Sequence, residues 1–169
     1  MKATKGVLVA LSGGVDSGVS AYLIKNEYEK CVGVTMRMTD EAEPLFSPLC
    51  AAHFEEDVTC AADIAHKLDM PFCVFSYGDV FKREVVDRFA QEYLGGLTPN
   101  PCIFCNRHLK FGALLDTAQE LGCEAVATGH YARIEQCGSR FLLKKSADPQ
   151  KDQTYMLWSL SQRQLSHTL

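Results

Sequence analysis

A chain of 169 residues is long enough for one domain with a sizeable buried core. Apolar residues make up 47% and charged residues 22%, an ordinary globular balance, and no stretch is apolar for long enough to span a membrane. The net charge of −4 argues against non-specific coating of nucleic acid and leaves room for a local basic patch.

The first apolar run, residues 6–11, predicts a strand. Its core at 7–11 is too brief for a signal-peptide core, so the sequence reads as cytoplasmic. In that setting eight cysteines point to reduced, catalytic or metal-bound thiols before disulfides. Next comes Ser12-Gly13-Gly14-Val15-Asp16-Ser17, then a helix predicted over 17–27 with Val19, Leu23 and Ile24 at helical spacing. Strand, glycine turn and helix N-terminus together form a cradle for an anion. The glycines let the backbone approach closely, the first helical turn offers unpaired N–H groups, and Ser12 and Ser17 add hydroxyls. The Gly-Lys-Ser/Thr ending of a Walker A loop is missing, as is the dinucleotide Gly-x-Gly-x-x-Gly pattern.

Further strands are predicted at 31–36, 71–76 and 123–128. Helices are predicted at 58–68 (Ala61, Ile64, Ala65, Leu68), 80–94 (Val85, Val86, Phe89, Tyr93, Leu94) and 109–121 (Leu114, Leu115, Ala118, Leu121), each with one stripe to bury. Strands alternating with such helices predict an α/β fold, a parallel sheet with helices on both faces. Its ligands belong beyond the strand C-termini, where the glycine loop, Met36 and Thr128-Gly129-His130 fall. Residues 39–56 and 95–105 read as long loops. Residues 136–139 read as a hairpin turn between 131–135 and 141–144. The last stretch, 151–169, is mostly polar with scattered apolar residues, and a helix there needs a partner surface, expected outside this chain. Cys31, Cys73, Cys123 and Cys60 read as core residues, and Cys50 and Cys137 as loop residues.

Three more runs carry chemistry: Thr98-Pro99-Asn100-Pro101-Cys102-Ile103-Phe104-Cys105-Asn106-Arg107-His108-Leu109-Lys110-Phe111-Gly112, then Ala127-Thr128-Gly129-His130-Tyr131-Ala132-Arg133, and Asp148-Pro149-Gln150-Lys151-Asp152-Gln153-Thr154-Tyr155. With the serine–glycine run, which looks like a pyrophosphatase loop (PP-loop), and in this order, they resemble the tRNA-specific 2-thiouridylases over nearly the whole chain.

That resemblance implies an adenine nucleotide alpha hydrolase-like fold and ATP-dependent replacement of O2 by sulfur in the wobble uridine of tRNA, through an adenylate and then a persulfide. It implies ATP binding by Ala10, Leu11, Ser12, Gly13, Gly14, Val15, Asp16, Ser17, Met36 and Gly129. Cys105 matches the nucleophile. Asn100, Pro101 and Cys102 match the stretch that approaches the target base, and Lys151, Asp152 and Gln153 a segment that touches tRNA. Asp16 is placed to position Mg²⁺, which prefers oxygen ligands and bridges phosphates to carboxylate; its other reading is a carboxylate that simply favours the helix dipole. A helix N-terminus and the cationic neighbours Arg107, His108 and Lys110 are expected to lower the Cys105 thiol pKa.

The family's second essential cysteine, its central domain and its C-terminal β-barrel lie further downstream. The expectation is a PP-loop domain over 1–145 and the start of a tRNA-contacting helical segment over 146–169, in a truncated form or one that works with a separate chain. A persulfide carrier is the expected sulfur donor. Cys102-x-x-Cys105 also admits half a zinc site or part of an iron–sulfur cluster, neither favoured. His130 reads either as a base or as a packed residue. Arg133, Arg140, Lys144, Lys145 and Lys151 read either as a solvated hairpin face or as phosphate-backbone contacts. Two rivals remain, another PP-loop adenylating synthetase and a non-catalytic ATP- or tRNA-binding module.

Overall fold

The computed structural model describes residues 2–39 and 48–169, the side chains of residues 48–52 excepted. Four strands form one parallel sheet: β1 (Ala3–Ala10), β2 (Tyr28–Arg37), β3 (Phe72–Ser76) and β4 (Ala125–Ala127), in the order β3-β2-β1-β4. The centre of β1, Val7 to Val9, has no exposed surface, as a strand covered on both faces requires. Helices α1 (Val15–Glu27) and α2 (Pro48–Lys67) cover one face through Ala21, Ala61 and Ala65, packed on Val7, Val9 and Cys31. The other face, Leu8, Val34 and Val126, lies under Val85, Leu109, Leu114 and Leu115. Those residues come from two helical runs. The first is α3 (Gly78–Phe81), a π-helical turn Lys82–Val86 and α4 (Asp87–Leu94). The second is α5 (Pro101–Phe104), a π-helical stretch Cys105–Ala113 and α6 (Leu114–Glu120).

The predicted parallel sheet, its four strands and its helices on both faces are all present. Several finer expectations need correction. Half of the predicted loop 95–105 is helical, because Pro101 occupies the first helical turn and the Asn100 side chain accepts a hydrogen bond from the Cys102 N–H. Helix α2 begins at Pro48, ten residues before its apolar stripe; residues 40–47 of the predicted 39–56 loop lie outside the described residues. On α1 the inward residues are Ser17 and Ala21, while Val19 and Leu23 are more than half exposed. Small side chains let α1 lie close to the sheet and to α2. Along 80–94 only Val85 is buried, and Phe89 and Tyr93 stack on each other at the surface. Cys60 is exposed, one position off the alanine face of α2.

The antiparallel hairpin β5 (Ala132–Cys137) and β6 (Arg140–Lys145) turns at Gly138. The residues after it find their partner inside this chain. Leu157, Leu160 and Leu165 form a third apolar cluster with Phe111 of the π-helical stretch, joined by Ala132, Ile134, Phe141 and Leu143 of the hairpin. Beyond the short helix α7 (Gln162–Ser166), Thr168 forms a parallel bridge with Val126. The free edge of β4 is thereby covered, which keeps it from pairing with another chain. Among the described residues no helix is long and apolar enough to cross a membrane.

Candidate active site

The loop after β1 folds as its residues dictate. Gly13 has φ +77°, and a Cβ there would lie 2.6 Å from the Asp57 carbonyl oxygen on α2, so glycine is needed for both conformation and space. Ser17 bridges the loop: its hydroxyl donates to the Gly14 carbonyl at 2.8 Å and accepts from the Ser12 N–H at 3.2 Å. Gly14 is the N-cap of α1 and has no side chain to satisfy the helix. The first-turn N–H groups are left for an external anion, and the 13-residue helix directs its positive dipole end there.

This loop forms one wall of a cavity of about 390 Å³ at the C-terminal ends of β1, β2 and β4. Ala10, Leu11, Ser12, Asp16, Ser17, Met36, Gly129 and Gln153 line it. Gly129 is packed tightly behind the loop, since a Cβ would lie 3.0 Å from the Ser17 nitrogen. Gly13 and Gly14 shape the bend without lining the cavity, and Val15 is exposed at 81%. Asn100, Pro101, Cys102, Cys105, Lys151 and Asp152 also lie off its wall.

Tertiary folding adds residues that the motifs did not single out as cavity lining: Thr35, Met38, Phe54, Asp57 and Lys110. Phe54 comes from the segment read as loop, Asp57 lies between that loop and the helix predicted from 58, and Lys110 was counted only as a neighbour of Cys105. Strand and helix alternation could have flagged Met38 and Thr35, which sit at or just past the end of β2 beside Met36. Asp57 carried no such signal.

Asp16 is already engaged. The Tyr131 hydroxyl donates to its Oδ1 at 2.8 Å. Lys151 Nζ lies 3.4 Å from that hydroxyl and 4.9 Å from the ring centroid, and the contact raises the Lys151 pKa. Gln153 fixes Tyr131 from behind: its side-chain oxygen accepts from the Tyr131 N–H and its own N–H donates to the Tyr131 carbonyl. Asp152 is turned inward, accepting from the Ser146 N–H and the Thr154 hydroxyl, and these bonds hold its carboxyl below the usual range. The two carboxylates lining the cavity, Asp16 and Asp57, suit a Mg²⁺ ion carried on phosphate oxygens, which asks for only one or two carboxylates from a protein.

His130 lines the same cavity, its Nδ1 2.8 Å from the Thr128 hydroxyl and its ring 5.8 Å from Phe111. Burial, aided by the Lys110 charge, lowers its pKa to about 4. It is neutral at pH 7 and too weak a base to hold a proton there, so the packed reading fits.

Cys105 differs from its expectation. It lies inside the helical run, a turn beyond the N-cap, and belongs to the apolar cluster that also includes Ala10, Met36 and Met38. Burial pushes its thiol up; Lys110 pulls it down more weakly, and Cys102 pushes it up further. Arg107 and His108 are not among the charges that act on it. Cys102 is exposed. Among the described residues no three His, Cys, Asp or Glu side chains converge as a metal site.

The family described as the tRNA methyl transferase HUP domain matches residues 5–169. The chain belongs to that family. Curated relatives named tRNA-specific 2-thiouridylase MnmA are 47% identical over 169 residues in Clostridioides difficile and 48% over 168 residues in Clostridium beijerinckii, each match covering 98% of this chain. The chain spans 46% of the length of those relatives. Among solved structures, a glutamine-dependent NAD+ synthetase from Acinetobacter baumannii in complex with ADP aligns with a TM-score of 0.45 and 18% identity, over 73% of this chain and 21% of its own. That likeness is too slight to say anything of the site.

Proposed function

We propose that this chain is the ATP-dependent adenylating part of a tRNA 2-thiolation enzyme. The carrying observation is the uncapped N-terminus of α1 behind Gly13, facing a cavity of nucleotide size whose wall supplies two carboxylates and Lys110. The names of the relatives, tRNA-specific 2-thiouridylase, support tRNA as the acceptor. Residues 1–145 carry most of the nucleotide unit, to which Gln153 adds a wall residue, and 146–169 the segment that meets tRNA, in the reducing cytoplasm.

In this scheme ATP lies across the strand ends, with Met36 and Gly129 beside the nucleoside and the glycine loop around the β- and γ-phosphates. Uridine O2 attacks the α-phosphorus, the bond to the β-phosphate oxygen breaks, and pyrophosphate leaves. The charge that builds on the leaving group falls on preorganised N–H dipoles, which need no reorganisation as the reaction proceeds. Mg²⁺ held by Asp16 and Asp57 would neutralise phosphate charge. Tyr131 orients Asp16, and Lys110 offsets negative charge on the cavity floor. The terminal sulfur of a persulfide then attacks C2 and displaces AMP, and a second thiol attacks the inner sulfur, breaking the S–S bond so that the sulfur stays on the uridine and the two cysteines leave as a disulfide. Cys105 is the thiol assigned to that half. Burial raises its pKa, and in this scheme the α5 region, Asn100, Pro101 and Cys102 included, opens when the base enters. A separate chain or segment supplies the second cysteine.

The test is pyrophosphate release on mixing the chain with ATP, Mg²⁺ and tRNA, followed by mass spectrometry of tRNA nucleosides with a sulfur source added. Release abolished in Asp16→Ala and retained in Cys105→Ser is the expected pattern. Bound ATP with no tRNA-dependent pyrophosphate would sink the adenylation reading and leave a binding module.

A further inference from the structure

Arg107 and His108 were expected beside the Cys105 sulfur. The fold turns them to a different concavity, about 430 Å³, between the first helical run, the π-helical stretch and the start of α7. Arg83, Glu84, Arg107, His108, Asp116 and Arg163 line it. None of these lines the nucleotide cavity.

Its charge runs against that of the chain. The whole sequence carries −4, yet three guanidiniums share this cleft with two carboxylates. Glu84 is committed to Arg83 at 2.9 Å and also draws Arg88 and His108 to within 4.0 Å. Asp116 is committed to Arg163 at 2.9 Å. Arg107 has no carboxylate partner among the described residues. Burial, opposed by Glu84 and aided by Arg88, Arg107 and Arg83, holds His108 below its ordinary pKa. Like charges gathered this closely repel one another, and an anion relieves the cost. Guanidiniums are suited to phosphate because their planar forks match its oxygens. Beside the cleft, Arg88, 4.0 Å from the cleft residue Glu84, stacks its guanidinium 4.8 Å over Phe104, the residue before Cys105.

We propose that this cleft is a second anion site that seats a backbone phosphate of the RNA substrate, with Arg107 and Arg163 as its contacts, and so holds the nucleic acid in register beside the Cys102–Cys105 helix. The inference rests on the tRNA reading above. Phosphate contacts of this kind position a nucleic acid without reading its sequence.

The experiment measures tRNA affinity of the 169-residue chain by fluorescence anisotropy across a KCl series, for the wild type, R107A, R163A, the double variant, and K5A as a charge control on an exposed pair with Glu124. Each lost phosphate contact should weaken binding several-fold and flatten the slope of log K against log salt by about 0.7–0.9, with ATP affinity retained as proof of folding and K5A unchanged. Unaltered affinity and slope in the double variant would overturn the cleft and leave the nucleotide site standing. Wild-type chain that binds ATP and no tRNA would overturn the tRNA reading and the cleft with it. Displacement of tRNA by micromolar inorganic phosphate would make this a small-anion site and overturn the backbone assignment.

Discussion

At the C-terminal end of β1 the backbone is bent, polar and open, with N–H groups already aimed at where phosphate would lie. On the run that begins at Pro101 the Cys105 thiol sits within a helix, against an apolar cluster, with burial raising its pKa. The contrast teaches which half of the proposed chemistry is preorganised. A phosphate cradle gains from rigidity, since its dipoles cost nothing to align at the moment of reaction. A nucleophilic thiol that must meet a persulfide is safer closed until its substrate arrives, and the helix carrying it would have to move. Lys110 stands between the two regions, on the cavity wall and within electrostatic reach of Cys105.

The largest expected effect concerns His130. Its folded pKa, about 4, lies below the ordinary unfolded value of about 6.5, so between these values the unfolded chain binds the extra proton. Stability therefore rises with pH across that window, and as pH falls from 6.5 to 4 the loss reaches up to about 3 kcal/mol. His130→Asn should flatten that part of a urea-denaturation profile; an unchanged profile would mean the imidazole is not desolvated.

Gly13→Ala comes next. The positive φ and the clash with the Asp57 carbonyl should cost about 2–3 kcal/mol in urea denaturation and remove ATP binding. A variant that binds ATP normally would show that the loop is not the cradle.

A third test compares the two thiols. At pH 7 iodoacetamide should label exposed Cys102 at least about tenfold faster than Cys105, whose thiolate is scarcer and less accessible. Adding ATP with tRNA should narrow the gap if the helix opens. Lys110→Met should slow Cys105 labelling further and weaken ATP, while Lys110→Arg restores both. Equal labelling of both cysteines at the outset would erase the distinction between a preorganised and a closed region.

The smallest effect belongs to Tyr131→Phe. It removes an exposed hydrogen bond to Asp16, so stability should fall by under about 1 kcal/mol. Pyrophosphate release should drop a few-fold, with the change in kcat rather than KM if the hydroxyl orients the carboxylate. A change confined to KM would make Tyr131 a binding residue.

Much of this was legible in the chain because it is local. Alternating apolar runs marked the four strands, and Gly13-Gly14 before a helix pattern marked the phosphate bend. Where the pattern misled, tertiary packing chose a different face. Apolar residues at helical spacing on α1 and α4 were left at the surface, because small residues on α1, and Val85 with Val80 and Phe81 on the first run, face the sheet. The polar-looking tail carries three leucines that pack on the hairpin just before it and on Phe111, far away in sequence.

By itself the sequence determined the parallel α/β plan, the glycine bend and its place at a strand end, since backbone conformation and apolar period are set by neighbouring residues. Only the tertiary structure decided that Asp57, Lys110 and Gln153 share the cavity at the strand ends, that Tyr131 holds Asp16, and that Arg107 and His108 turn to a different concavity from that cavity. Such meetings depend on how helices rotate and dock, and a linear pattern carries no measure of that rotation. For the same reason Cys105, which the sequence placed at an activating helix end, ended up shielded in an apolar cluster.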